Sequence, residues 1–332
     1  MYGLYIKYMK SRNLKIILIS SLILISLSIL FFHYYNKTIE GFLDTTYEKT
    51  IYLVWRNKIK DSVTHHGFGD KLRGAIFLYQ YCKEKNINFK IDATDDICSD
   101  FLKNVVSPDY TKIKDQEIMD FAQKPNEEIK AKINSLFSIN RLFSINNGFI
   151  KPRNSIYIYT NALPNDLNND DKEFAKFICE PNDNIKSEVN EKIKSLPENF
   201  GIKHFRFKDD VFNNDITIDN KLFEKYFFLL AENSTSTDVL FTNSNNFKKY
   251  AKEQLEIKTV DCNNLLCKIE HIGASSDNES VKNSFIEFLI LSKAKYIKSY
   301  TTYGWPSNFV HWPAKIYDIP FENVYIDENN IV

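Results

Sequence analysis

The sequence predicts an α/β protein built from two parallel, doubly wound sheets that face a cleft, with a membrane-spanning helix before them. In both halves of the chain, apolar runs of strand length alternate with segments of helical periodicity, which is typical of parallel sheets. The length of 332 residues provides for two domains of ordinary size. A long uncharged run near the N-terminus predicts the membrane helix.

The composition is that of a globular protein with balanced charge. Hydrophobic residues make up 43% of the chain and charged residues 26%, with 43 Lys and Arg against 43 Asp and Glu. A protein that binds nucleic acid needs an excess of positive charge to neutralise phosphates. We therefore predict no nucleic-acid partner.

The N-terminal apolar run extends from Ile16 to Phe32, and its only polar residues are serines. At about 1.5 Å per residue, a helix of this length spans roughly 25 Å, which matches a thin lipid bilayer. Lysine and arginine precede the run, and the positive-inside rule keeps that flank in the cytoplasm. The sequence thus predicts a single-pass type II membrane protein with a cytoplasmic tail (1–15), an anchor (16–32), a stem (33–48) and a lumenal, ER/Golgi or otherwise non-cytoplasmic, remainder.

A cleaved signal peptide is the alternative interpretation of this run. An A-x-A cleavage site is absent because the first alanine of the chain is Ala75, although Ser26 and Ser28 are small enough to substitute. The uncleaved anchor is the interpretation that we favour.

The five cysteines are too few and too irregularly spaced for a disulfide scaffold, and no pair has the C-x-x-C spacing of a zinc or redox site. They are Cys82, Cys98, Cys179, Cys262 and Cys267. In an oxidising lumen, Cys262 and Cys267 could form a local bridge, and buried thiols are the alternative. A lumenal domain would also be a glycoprotein candidate through its N-x-S/T sequons. The sequons begin at Asn36, Asn233 and Asn278.

The N-terminal domain is predicted over residues 49–197. Its first strand is IYLVW (51–55), its first helix runs from Lys71 to Asn86, and its second strand is INFKID (87–92), which together form a βαβ unit. Further along, the patterns predict a strand at 154–162 and a surface loop at 164–173.

The C-terminal domain is predicted over residues 198–332, where the two patterns alternate regularly. The strands are predicted at 202–207, 238–243, 255–260 and 294–300. The helices are predicted at 221–232, 246–254, 281–293 and 307–317. Because ligands of such sheets bind at the carboxyl ends of the strands, we expect the functional site there.

A glycine-rich stretch follows the first strand. Gly67, Gly69 and Gly74 lie close together in a chain with only nine glycines, and Arg73 stands among them. Backbone N–H groups and the helix dipole at such a turn bind anions, and Arg73 adds a charged fork. Because the spacing fits neither the dinucleotide fingerprint nor the Walker pattern, a plain tight turn is the alternative.

The stretch GIKHFRFKDD (201–210) places His204, Arg206 and Lys208 on one face of a strand, just before Asp209. Cations are unusual on a buried parallel strand, but they suit a strand end that meets a diphosphate. An edge strand with solvated charges is the alternative.

The stretch SYTTYGWPSNFVHWPAKIYD (299–318) leads from a strand into a helix. Ser307 can cap that helix, whose first amides would then face a phosphate. Phe309 or Trp305 can stack on a purine, and aromatic core packing is the alternative for both rings.

In this order, the three stretches resemble the motifs of the GDP-fucose-dependent fucosyltransferases, which include the α1,2-, α1,6- and protein O-fucosyltransferases. GFGDKLRG (67–74) is similar to the family's G-x-G-[ND]-[KR]-x-R-G loop, and HFRFKDD (204–210) to its H-x-R-x-x-D motif. The resemblance implies the two-domain glycosyltransferase fold called GT-B, a GDP-fucose donor and a glycan or glycoprotein acceptor.

The resemblance also implies roles for single residues. Arg206 would bind the nucleotide diphosphate, with His204 beside it. VLFTNSNNFKKYA (239–251) resembles the second motif, where the family often has an aspartate near Asn243 or Ser244. In the third motif, the family's S-x-F element would place Ser307 on the phosphates and Phe309 near the base.

Two departures from the family keep other functions open. Phe207 stands where a second arginine is common, and no acidic residue is evident in the second motif. The alternatives are a transferase for another nucleotide sugar and a catalytically inactive, membrane-anchored glycan-binding or scaffold protein.

The predicted reaction uses no metal and no cofactor besides the donor. The chain contains no D-x-D triplet of the kind that holds Mn²⁺ against a diphosphate. Arg206, Lys208 and helix N-termini would neutralise the leaving diphosphate instead. Asp70 is the candidate general base for the acceptor hydroxyl, with His65 and His66 as alternatives that could equally be solvated loop residues.

Overall fold

The structure is a computed structural model that describes residues 26–28, 49–56, 67–105, 118–139, 155–260, 269, 272 and 277–327. The predicted tail, the stem and all of the anchor except residues 26–28 lie outside these ranges, so the anchor stays a prediction. Within the described ranges, no helix is long and apolar enough to cross a membrane. The described residues from Lys49 onward form one compact unit.

The first half of this unit contains a parallel sheet of four strands in the order β2-β1-β4-β3. The strands are β1 (Thr50–Arg56), β2 (Asn88–Asp95), β3 (Ile118–Asp120) and β4 (Ser155–Tyr159). The helices are α1 (Phe68–Lys85), α2 (Asn126–Ile139), α3 (Asn169–Ile178) and α4 (Asp183–Lys194). A short 3₁₀ helix spans Ile97–Asp100.

The second half contains a parallel sheet of five strands in the order β7-β6-β5-β8-β9. The strands are β5 (Gly201–Arg206), β6 (Asp238–Thr242), β7 (Lys258–Thr259), β8 (Ile297–Thr301) and β9 (Phe321–Tyr325). The helices are α5 (Lys221–Asn233), α6 (Asn245–Leu255), α7 (Asn278–Leu291) and α8 (Asn308–Ile316). A second 3₁₀ helix spans Asp209–Phe212.

These sheets confirm the prediction of an α/β fold with two parallel sheets. Their inner strands are almost entirely buried, as parallel strands covered by helices on both faces must be. The boundary at residues 197 and 198 falls between β4 and β5, and the division into two domains stays a prediction.

Helix α7 packs against the first half of the unit through aromatic rings. Phe68 at the start of α1 meets Phe285 and Phe288 edge-on, with ring centroids 5.2 and 4.8 Å apart. Phe101 stacks on Phe285 at 5.6 Å. One hydrophobic cluster therefore runs from the first sheet to α7 and α8.

Several local predictions are wrong. The loop predicted at 164–173 ends early, because Asn168 and Asp171 form a capping box that starts α3. The strand predicted at 255–260 shrinks to Lys258–Thr259. The short strands β3 and β9 were not predicted, since neither carries a long apolar run.

The cysteines in the described part of the chain are buried thiols. Cys82, Cys98 and Cys179 are unpaired. Burial raises the pKa of Cys82 to about 12, so its thiol stays protonated and unreactive. Cys262 and Cys267 lie outside the described residues, and their bridge stays a prediction.

Candidate active site

A cleft of about 240 Å³ opens at the carboxyl edge of the second sheet, opposite the N-terminus of α1. Strands β5, β6 and β8 contribute their last residues or the loops that follow them. The chain leaves β5 for β6 on one side, and β8 pairs with β5 on the other. The cleft thus lies at the point where the strand order reverses, the position at which open α/β sheets bind ligands.

The glycine-rich stretch is a helix start instead of the predicted loop. Only Gly67 precedes α1, as its N-cap, whereas Gly69 and Gly74 are inside the helix. A β-carbon on Gly69 would lie 2.7 Å from the carbonyl oxygen of Asn308, and one on Gly74 would lie 2.0 Å from that of Thr160. These two glycines are needed because other backbone segments approach α1 closely.

Two helix N-termini meet at the cleft, those of α1 and α8. Gly67 and Ser307 are their N-caps, and neither provides a side-chain hydrogen bond to its helix. Helices α3, α4, α5, α6 and α7 are all capped by an Asn, Ser or Asp side chain. The first amides of α1 and α8 are therefore available to an anion, which the helix dipoles would attract.

Asp70 links these two helices at the cleft. Its Oδ1 accepts a hydrogen bond from Nδ2 of Asn308 at 2.9 Å and lies 3.3 Å from a guanidinium nitrogen of Arg73. Arg73 itself is not among the cleft-lining residues, although its prediction as a donor ligand placed it there. Its guanidinium turns to Asp70 because the carboxylate lies one helical turn away on the same face.

Arg206 ends β5 and lines the cleft, as the sequence predicts. Its side chain is 16% exposed and forms an ion pair with Asp209, whose side chain is 62% exposed. The guanidinium carbon lies 5.7 Å from the ring of Phe212 and 5.9 Å from that of Tyr303. The Tyr303 hydroxyl accepts the Asp209 backbone N–H at 3.2 Å. Two aromatic rings and a carboxylate thus hold the guanidinium in place.

His204 and Phe309 form the inner wall of the cleft. Nδ1 of His204 lies 2.9 Å from the Ser299 hydroxyl, and its ring faces that of Phe309 with centroids 6.4 Å apart. Burial, followed by the charge of Arg206, lowers the pKa of His204 to about 3. His204 is therefore neutral at physiological pH and can donate or accept a single hydrogen bond through its remaining nitrogen.

Glu287 on α7 is a cleft residue that the sequence analysis missed. Its side chain is 3% exposed and pairs with Nζ of Lys248 at 2.5 Å. Burial raises the pKa of this carboxyl, against the opposing charge of Lys248. The only sequence signal was a glutamate within the apolar stretch SFIEFLIL (284–291). An acid in such a stretch is seldom buried without a partner.

Two other predicted donor ligands do not line the cleft. Lys208 is the N-cap of the 3₁₀ helix that follows β5, and its side chain is exposed. It does not share the face of His204 and Arg206 because β5 ends at Arg206, and the alternation of side chains ends with the strand. Ser244 caps α6 and donates to Oδ1 of Asp215 at 2.6 Å. Gly67, Gly69, Asp70, His204, Arg206, Asp209, Ser307 and Phe309 do line it.

The positions that depart from the family motifs have structural roles. Phe207 is fully buried in the core of the second half. The Asn243 side chain accepts the Phe207 N–H at 2.8 Å and donates to the Phe207 carbonyl at 3.0 Å. This pair of hydrogen bonds fixes the backbone directly after Arg206.

Histidine, cysteine and carboxylate side chains form no group of three or more that would hold a metal ion within the described ranges. The metal-independent reaction stays a prediction, and so does any role of His65 and His66, which lie outside those ranges.

No family model and no curated protein matches the chain. Solved structures that are similar include the fucosyltransferase NodZ from Bradyrhizobium, at 11% identity and a TM-score of 0.45, over 80% of this chain and 92% of that one. A mutant of Arabidopsis thaliana FUT1 in complex with GDP is 9% identical, with a TM-score of 0.49, and the similarity covers 89% of this chain and 75% of that one. POFUT1 in complex with GDP is 10% identical, with a TM-score of 0.44, and the similarity covers 84% of this chain and 99% of that one.

Proposed function

We propose that the chain is a glycosyltransferase that moves fucose from GDP-fucose to a hydroxyl of a glycan or a protein. The observation that carries this proposal is the position of Arg206 at the end of β5. Its guanidinium, which Asp209, Phe212 and Tyr303 hold in place, faces the cleft. The N-termini of α1 and α8, which lack a capping side chain, open into the same cleft. A guanidinium and two helix N-termini that face the same space suit a diphosphate. The resemblance of the sequence motifs to those of fucosyltransferases supports fucose as the sugar.

The chemistry follows from where negative charge develops. As the glycosidic bond breaks, the departing diphosphate gains charge, and donors aimed at its oxygens bind the transition state more tightly than the ground state. The Arg206 fork and the amides of α1 and α8 would supply this stabilisation. Asp209 holds the guanidinium before the donor arrives, and its exposure allows the diphosphate to replace it.

The buried carboxylate of Glu287 favours a guanine base over uracil. As the ionised partner of Lys248, the Glu287 carboxylate would accept hydrogen bonds and donate none, and guanine presents two adjacent donors, N1–H and the N2 amino group. Uracil offers one N–H between two carbonyl oxygens, which a carboxylate would repel. Lys248 pairs with Oε1 of Glu287, which would leave Oε2 for the base at this wall of the cleft.

Asp70 is our candidate for the general base that takes the proton of the acceptor hydroxyl. It lines the cleft beside the two helix N-termini, and Asn308 and Arg73 hold its carboxylate in place. We further propose that residues 16–32 anchor the enzyme in a membrane, with the catalytic unit lumenal and no nucleic-acid partner.

Calorimetry on the full chain with GDP, UDP and GDP-fucose tests the proposal. We expect GDP to bind more tightly than UDP, and Glu287→Gln to reduce that preference. Glu322→Gln is the matched control, because its carboxylate pairs with Lys298 on the edge of the sheet and is absent from the cleft. A preference for UDP would indicate another nucleotide sugar, and no nucleotide binding would indicate the inactive scaffold.

A further inference from the structure

Four side chains at one end of the cleft form a continuous stack. The ring of Phe212 and the ring of Tyr303 lie on the guanidinium of Arg206, at 5.7 and 5.9 Å. Trp305 stacks on Tyr303, with ring centroids 5.5 Å apart and planes 27° from parallel. All four line the cleft. The outermost member, Trp305, is therefore positioned by the residue that positions Arg206.

The indole of Trp305 is open to solvent. It is 64% exposed, whereas Trp55 and Trp312 are buried in the core. Among the large hydrophobic residues that are exposed in the described ranges, Trp305 is the one that lines the cleft. An exposed aromatic ring beside a ligand cleft is a characteristic feature of a recognition surface.

The strand order gives the cleft a direction. Glu287 lies toward β6 and β7, because its partner Lys248 belongs to α6 and also donates to the carbonyl of Val260 after β7. Arg206 ends the central strand β5, and Trp305 follows β8 on the opposite side. Adjacent strands lie about 4.8 Å apart. A donor with its base at Glu287 and its diphosphate at Arg206 would thus place its sugar toward Trp305.

From this order we infer that Trp305 is the platform for the acceptor and that it stacks on a pyranose ring. The acceptor is then a carbohydrate and not the bare side chain of a polypeptide. The inference rests on the proposed function and names the acceptor class of the same site.

A pyranose ring fits this surface chemically. One face of the ring presents C–H groups, which form an apolar patch that packs on an electron-rich indole, while its hydroxyls point outward. The exposed carboxylate of Asp209 lies beside the same stack and can accept hydrogen bonds from those hydroxyls. A serine or threonine hydroxyl on a peptide presents no comparable ring face to the indole.

The test compares Trp305→Ala, Trp305→Phe and the wild-type full chain in detergent, each saturated with GDP. The probes are an array of immobilised oligosaccharides with galactose, N-acetylglucosamine or mannose termini, and a set of unglycosylated Ser/Thr peptides. We expect the wild type to bind oligosaccharides, Trp305→Ala to bind them about tenfold more weakly, and Trp305→Phe to retain part of the affinity. Phe228→Ala is the matched control, because Phe228 is 56% exposed but absent from the cleft.

Three outcomes would overturn the inference. The first is oligosaccharide binding that Trp305→Ala leaves unchanged, and the second is wild-type protein that binds GDP but no oligosaccharide on the array, or only peptides. The third is a loss of GDP affinity in Trp305→Ala as large as the loss for oligosaccharides, which would assign the indole to the base. Calorimetry of the wild type with GDP separates these from a failure of the proposed function, in which no nucleotide would bind.

Discussion

At the scale of the single residue, Arg206 illustrates how neighbours orient a charged side chain before a ligand binds. A lone guanidinium on a strand end samples many orientations, and each hydrogen bond to a ligand would cost entropy. Here Phe212, Tyr303 and Asp209 restrict the fork before any ligand is present. The same neighbours explain why the strand tolerates a cation at its end.

We predict that Arg206→Ala lowers the transfer rate by about a hundredfold or more, because loss of one transition-state donor costs on the order of 3 kcal/mol. Arg206→Lys should also be impaired, since lysine keeps the charge but lacks the planar fork. Lys208→Ala is the matched control and should retain the rate, because Lys208 lies outside the cleft. Steady-state kinetics with GDP-fucose provide the measurement, and near-normal transfer by folded Arg206→Ala would refute the assignment.

A second residue-scale prediction concerns His204 and pH. Its folded pKa of about 3 lies below the unfolded value of about 6.5, so the unfolded chain binds more protons between these values. The stabilising contribution of neutral His204 is therefore complete above pH 6.5 and decreases as the pH falls toward 3. We expect the free energy of unfolding in urea to fall from pH 7 to pH 5, and we expect His204→Gln to reduce that fall by about 2 kcal/mol. An unchanged pH dependence in that variant would contradict the buried, neutral state.

At the scale of the element, α1 carries glycines that its helical propensity disfavours. Glycine inside a helix costs about 1 kcal/mol relative to alanine. Gly69 and Gly74 are retained in α1 because Asn308 and Thr160 approach their α-carbons too closely for a side chain. The glycines lower the intrinsic stability of α1, but the missing side chain at Gly69 allows its N-terminus to pack against the start of α8.

We predict that Gly74→Ala destabilises the protein by about 1–3 kcal/mol, although the same change stabilises an ordinary helix. The added β-carbon would meet the Thr160 carbonyl oxygen at 2.0 Å, which forces the backbone to shift. Asn190→Ala, at an exposed position within α4, should be neutral or stabilising. Chemical denaturation of both variants provides the measurement, and a stabilised Gly74→Ala would show that the close approach is absent.

At the scale of the whole molecule, two parallel sheets and one shared hydrophobic cluster create the cleft. Each sheet reverses its strand order once, β1 against β4 and β5 against β8. Helix α7 of the second half packs on Phe68 and Phe101 of the first. The halves are therefore held together next to the site, which keeps both helix N-termini facing the same ligand space.

The membrane topology is a prediction at this scale. The cations that precede residue 16 and the apolar run after them predict that the compact unit is translocated. With a C-terminal tag on the full chain, protease treatment of intact microsomes should leave the tag protected, and detergent should expose it. A tag that is digested without detergent would place the unit on the cytosolic side.

The sequence by itself predicted most of the elements and several residues that line the cleft. Period-two and helical patterns depend on which face of a segment is buried, so they predicted β1, β5, β6 and β8 and the helices α1, α5, α6, α7 and α8. Because parallel strands present their carboxyl ends on one edge, His204, Arg206, Ser307 and Phe309 could be assigned to a common site.

Only the tertiary structure decided which partners these elements acquire. Glu287 faces the cleft because α7 crosses from β7 to β8, and Tyr303 lies over Arg206 because β8 pairs with β5. Ser244 caps a helix, although the sequence predicted it as a donor ligand, and Gly74 lies against the backbone of Thr160. Periodicity records burial along a few neighbouring residues, whereas these contacts join residues far apart in the chain, and the order of the strands in the sheet determines them.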